Sequence, residues 1–115
     1  TINVNGNMTI YASDASGNNE LDASANPTIS VSGNWTNNDT FTSGSSTVTF
    51  NGTTQQTITT NNQAFNNLTI NNAGADGTTN DDIVISGNLD VNGTLTITDG
   101  QLRLDTNNPD VNTAG

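Results

Sequence analysis

The chain of 115 residues has no cysteine, no histidine and no lysine, and Arg103 is its only base. Without cysteine there is no disulfide framework and no thiolate metal site, and the redox compartment is left open. Without histidine or cysteine, nucleophile–base pairs and imidazole-bound metals are missing too, which removes most enzyme classes. A net charge of −10 argues against a nucleic-acid or anionic-membrane partner, because those contacts are built from lysine and arginine. No apolar run approaches the roughly 18 residues of a spanning helix. Hydrophobic residues make up 30% of the chain and aromatics 4%, so any core must be thin and repetitive. No signal peptide is visible, and a start at Thr1 reads as a processed or partial chain.

What the chain does have is alternation. Apolar residues come as pairs one residue apart: Met8/Ile10, Ile29/Val31, Val48/Phe50, Leu68/Ile70 and Leu89/Val91. This is strand periodicity, and disorder would not preserve it from end to end. Gly, Asn, Thr and Ser run throughout, and no 3.6-residue apolar pattern survives, so helix is excluded.

The second members of the pairs continue as Ile10, Val31, Phe50, Ile70, Val91 and Val111, with a spacing close to 20 residues. A short period of strands and turns predicts a solenoid whose coils stack on one another. Phe65, Ile85 and Leu104 keep the same beat and suggest a second inward-facing strand. The stretch from Val91 to Val111 reads as one coil, with LTI at 95–97, a TDGQ turn, LRL at 102–104, polar DTNNP and a last strand. The prediction is an all-β, right-handed parallel β-helix of five to six coils with three short strands per coil, its hand taken from the rule for parallel crossovers.

Residues 1–115 are expected to form a single β-solenoid segment. The segments near 11–20 and 71–82 lack strand pattern and should bulge as loop insertions. Pro27 and Pro109 lie just before strands, where a missing N–H is tolerated. A longer repeat overlies the coils, since residues 1–33 resemble 88–115. INVNGNMTI at 2–10 matches LDVNGTLTI at 89–97, and LDASANPTISVSG at 21–33 matches LDTNNPDVNTAG at 104–115 with one deletion.

After each alternating pair comes a turn residue: Ser32, Asn51, Asn71, Asn92 and Asn112. Asn tolerates a left-handed corner, and its amide can donate to one coil while accepting from another. Asn51, Asn71, Asn92 and Asn112 are therefore expected to form a structural Asn ladder. Thr9, Ser30, Thr49, Thr69, Asp90 and Asp110 would form an outer column.

The segment VSGNWTNNDTFTSGSSTVTFNGTTQQTITTNNQAFNNLTINN resembles the repeats of large secreted surface proteins of bacteria and archaea, of the form GNWTNNGTFT…TVTFNG…QTI…FxNLTI. The likeness is close over 29–72 and looser over 83–105; Asp39 replaces a common Gly, and the acidic insertion at 74–82 is a departure. The resemblance implies an adhesin-like parallel β-helix displayed outside the cell, in a scaffold or adhesion role, with no catalytic residues to transfer.

Asn-x-Ser/Thr triplets offer glycan acceptors at Asn7, Asn34, Asn38 and Asn67. The triplets at Asn51 and Asn92 are assigned to the ladder instead. Asp76, Asp81 and Asp82, and separately Asp14 and Glu20, are the calcium candidates, although no spacing matches a known calcium loop. No other cofactor is expected. Asp99, Asp105 and Arg103 share a corner, read as a surface salt bridge rather than a glycosidase carboxylate pair. Trp35 and Tyr11 could stack on sugar, and Trp35 is assigned instead to a wide coil interior. No segment resembles a solenoid cap, so coils should stack on further coils, in a covalent array or a head-to-tail homopolymer. The expected function is an extracellular rod, such as a surface fibre, sheath or adhesin stalk. A glycan-binding adhesin module is the first alternative, and an ice-binding solenoid, which needs two Thr columns on one flat face, is the second.

Overall fold

The computed structural model of the chain describes residues 1–104 and 111–113. Strands β1 (Ile2–Val4), β2 (Met8–Ile10), β3 (Glu20–Asp22), β4 (Thr28–Val31), β5 (Trp35–Asn37), β6 (Thr40–Thr42) and β7 (Thr47–Phe50) follow in order. They are continued by β8 (Gln56–Thr59), β9 (Asn67–Asn71), β10 (Asp82–Ser86), β11 (Leu89–Val91), β12 (Leu95–Asp99), β13 (Gln101–Leu104) and β14 (Val111–Thr113). One 3-10 turn, Thr79–Asp81, is the sole helical element among the described residues, so none is long and apolar enough to cross a membrane.

All strand pairs are parallel, and they build three faces of a β-solenoid. The first face stacks β1, β4, β7, β9 and β12; the second stacks β2, β5, β8, β10 and β13. The third is interrupted: β3 pairs with β6 and β11 with β14, while Phe65 bridges to Val91 between them. Each coil thus visits the faces in turn. The in-register positions Ile2, Ile29, Val48, Leu68 and Leu95 are 27, 19, 20 and 27 residues apart, so the five rungs of this face span about four turns averaging about 23 residues. The two long coils carry the connections between β2 and β3 and between β9 and β10, which hold no alternating apolar pair.

Those long coils also break the 20-residue column of the sequence reading. Val31, Phe50 and Ile70 do stack, but their neighbours are Val4 and Ile97. Ile10 belongs to the second face, paired with Asn37, and Val91 and Val111 belong to the third. Ile85 and Leu104 stack as expected, whereas Phe65 stands on another face.

The core is a narrow inner shaft. Val31, Val48, Phe50, Ile58, Leu68, Ile70, Ile83, Ile85, Leu89 and Val91 are fully enclosed. Trp35, Phe41, Phe50 and Phe65 meet in the middle coils with ring centroids 5.0 to 6.4 Å apart, mostly edge-on. Tilted and edge-on aromatic pairs add roughly 0.5–1.5 kcal/mol each beyond their buried area. Concentrating the few aromatics there gives a composition poor in hydrophobics one well-filled section. Trp35 is in the interior, as the sequence suggested, and Tyr11 is exposed.

Candidate functional site

Of the corners with the sequence apolar–Ser/Asn–Gly–Asn/Thr, which include Phe50–Thr53 and Ile85–Asn88, three use one device: Val4–Met8, Val31–Trp35 and Val91–Leu95. At the first two, coil stacks on coil through glycine. Gly33 donates its N–H to the Gly6 carbonyl at 2.9 Å, and the Asn34 N–H donates to Asn7 Oδ1 at 2.9 Å. A Cβ on Gly33 would lie 2.5 Å from that oxygen. Asn34 Oδ1 in turn accepts the Thr57 N–H at 2.8 Å. The third corner repeats the device on Asn67, whose Oδ1 accepts the Thr94 N–H at 3.0 Å below Gly93.

Asn7, Asn34 and Asn67, three of the four residues offered as glycan acceptors, therefore bridge successive coils. The predicted ladder of Asn51, Asn71, Asn92 and Asn112 does not form one column. Asn51 follows β7 and Asn71 ends β9 on the first face, whereas Asn92 follows β11 and Asn112 lies in β14 on the third face. The side chains of Asn51, Asn71 and Asn92 face solvent. The cause is the phase error introduced by the long coils. The outer column changes with it: Asn3, Ser30, Thr49, Thr69 and Thr96 are stacked, Thr9 is on the second face and Asp90 on the third, while Asp110 lies outside the described residues.

Left-handed backbone occurs at Asn26, Asn61 and Asn62 instead. Asn88 donates to Asn62 Oδ1 at 3.0 Å, a direct rung between asparagine side chains of successive coils. Asn26 Oδ1 accepts the Ser45 N–H at 2.6 Å. Asn38 is exposed and uses its N–H to reach the Ile10 carbonyl.

Sequence reasoning missed the buried amides. Gln56, fully enclosed, accepts the Gly52 N–H at 2.9 Å and donates to the carbonyls of Val31 and Gly33. Asn72 donates to Gln56 Oε1 at 3.2 Å and to the Thr54 carbonyl at 2.8 Å. Together they satisfy backbone groups where a corner leaves the sheet, which keeps a polar corner inside the shaft from being costly. The only signal was position: Gln56 takes the place of an apolar residue in the alternation Gln56-Thr57-Ile58.

The calcium candidates do not converge, and the described residues hold no cluster of three or more acidic, His or Cys ligands. Asp76 is exposed, while Asp81 and Asp82 are buried, each with one oxygen unpartnered. Gln101 donates to the other oxygen of Asp81 at 3.1 Å, and Arg103 lies 3.4 Å from that of Asp82. Arg103 thus pairs with Asp82 rather than with Asp99, and Asp105 lies outside the described residues. Asp14 and Glu20 are exposed. The Ser16 hydroxyl holds the Asp14 carboxyl below its ordinary value, Ser24 does so for Asp22, and the Ser13 hydroxyl does so for Asp39.

The two end coils stand out as surfaces. Ile2, Ile97 and Leu104 are about half exposed, at 49%, 53% and 50%, and each is the end member of a column whose middle members are enclosed. The outer backbone edges of β1, β2 and β3, and of β12, β13 and β14, have no partner strand among the described residues. Such edges template the addition of further strands. No family model matches the chain, and neither a curated protein nor a solved structure matches it.

Proposed function

We propose that this chain is a segment of an extracellular structural rod, a surface fibre, sheath or adhesin stalk in which further solenoid coils continue the stack at its ends. The observation that carries the reading is the state of the end coils, where core-type side chains and three strand edges are open together. A stack of coils buries both at once, and a head-to-tail contact that does not close on itself gives a fibre. The likeness of residues 29–72 to repeats of secreted surface proteins supports display outside the cell. The role is mechanical, with no catalytic residues.

The test is electron microscopy with fibre diffraction of the concentrated protein. Particles that lengthen along one axis, with a repeat of about 4.8 Å between coils, are expected. A monodisperse monomer over the whole concentration range overturns the reading.

One observation favours a second reading. The corrected register puts Thr28-x-Ser30, Thr47-x-Thr49 and Asn67-x-Thr69 above one another on the first face, beside Thr94-x-Thr96. Two hydroxyl-rich columns on one face suit ice binding, and thermal hysteresis decides it: a freezing-point gap lost in Thr49→Lys supports it, and no gap excludes it.

A further inference from the structure

The end of the chain repeats its beginning in sequence, and the strand register shows on which face each repeated element falls. Ile2–Val4 forms β1 on the first face, and its match Leu89–Val91 forms β11 on the third. Met8–Ile10 forms β2 on the second face, and its match Leu95–Ile97 lies in β12 on the first. Leu21 is on the third face in β3, and its match Leu104 is on the second in β13. Ile29 is on the first face in β4, and its match Val111 is on the third in β14. All four elements shift by one face in the same direction.

The pairing is carried along with the sequence. β1 pairs with β4 through Ile2 and Ile29, and β11 pairs with β14 through the matching Leu89 and Val111. A repeat of this chain therefore winds one face short of four full coils. In the first copy, β2 is covered by β5, with Met8 against Trp35, Thr9 against Thr36 and Ile10 against Asn37, and β3 is covered by β6, with Leu21 against Phe41. The matching residues of the last coil are open. Ile10 is 5% exposed under β5, whereas its match Ile97 is 53% exposed, and Leu104, the match of Leu21, is 50% exposed.

Resting on the rod reading above, we infer that the open edge of the last coil is the receiving site for segment 34–42 of a following repeat, in which residues 89–115 take the place that residues 2–33 hold in this one. The copy of Trp35–Asn37 lies on β12 and the copy of Thr40–Thr42 on β13. Successive copies are then set back by one face about the rod axis, so any surface feature is presented in three directions in turn.

Cysteine cross-linking tests the register, because the chain has no cysteine of its own. The full chain is extended after Gly115 by a copy of residues 34–72, with Thr96→Cys and a cysteine replacing the copy of Thr36. Adjacent strands about 4.8 Å apart place such a pair within disulfide reach. The expected result is an intramolecular disulfide that forms at least about tenfold faster than with the cysteine at the copy of Thr49. The extended chain should also melt higher than the parent. If Thr96→Cys instead links to Asn3→Cys of a second molecule and the appended segment stays unlinked, coils stack in whole-turn phase; the inference is overturned while the rod survives. If neither link forms and the protein is a monomer, both are overturned.

Discussion

Asn34 and Asn51 both follow an apolar strand end in a glycine-containing corner, yet they do different work. Asn34 Oδ1 accepts the Thr57 N–H of the next coil, while the Asn51 side chain faces solvent. Asn34→Ala should cost about 1–2 kcal/mol in denaturant unfolding, and Asn51→Ala should stay within about 0.5 kcal/mol. Gly33→Ala should be worse than either, by about 3 kcal/mol, because the new Cβ meets the backbone of Gly6 as well as Asn7. The acidic residues give a pH prediction at the same scale. Hydroxyl and N–H donors favour the ionised forms of Asp14, Asp22 and Asp39, so their folded values lie below the unfolded ones. Their contribution is complete above the usual carboxylate value of about 4 and is lost as pH falls through the folded values. Unfolding free energy should hold level from pH 7 to about pH 5 and decline below about pH 4. In Ser13→Ala, the Asp39 titration followed by NMR should move up towards the ordinary value.

Elements here are too short to be stable alone, with most strands three to five residues long, and stability comes from stacking. The aromatic section formed by Trp35, Phe41, Phe50 and Phe65 ties coils two and three together. Phe50→Ala should cost about 3–5 kcal/mol, measured by chemical denaturation, since Phe50 is fully enclosed against Trp35 and Phe65. Strand identity was legible from alternation: Ile29/Val31, Val48/Phe50 and Leu68/Ile70 all stack on the first face. Their register with the rest was not legible. The connections over 11–19 and 72–81 add residues without adding a face, so counting twenty at a time slips from one face to another. That slip moved Ile10, Val91 and Val111 into the wrong column and took the asparagine ladder with it.

For the whole molecule, the proposed rod makes the open end coils the joints, and that can be tested. Ile97→Asp with Leu104→Asp places charge where the next coil would bury an apolar residue, and both side chains are already half exposed here. The double variant should fold normally by circular dichroism and lose end-to-end association in sedimentation. Unchanged association would mean that contacts elsewhere join the subunits. High salt should favour association of the parent, because a chain with net charge −10 repels its own copies.

Composition and alternation alone determined the class of fold, since a chain poor in hydrophobics and rich in Gly, Asn and Thr can bury its paired apolar residues only in short stacked strands. They also placed Trp35 inside and disclosed the long internal repeat. Only the tertiary structure decided which residues share a face, because the faces are set by hydrogen-bonded register, and polar loops of unequal length change that register without marking the sequence pattern. For the same reason the repeat was visible in the sequence, but its setback of one face was not.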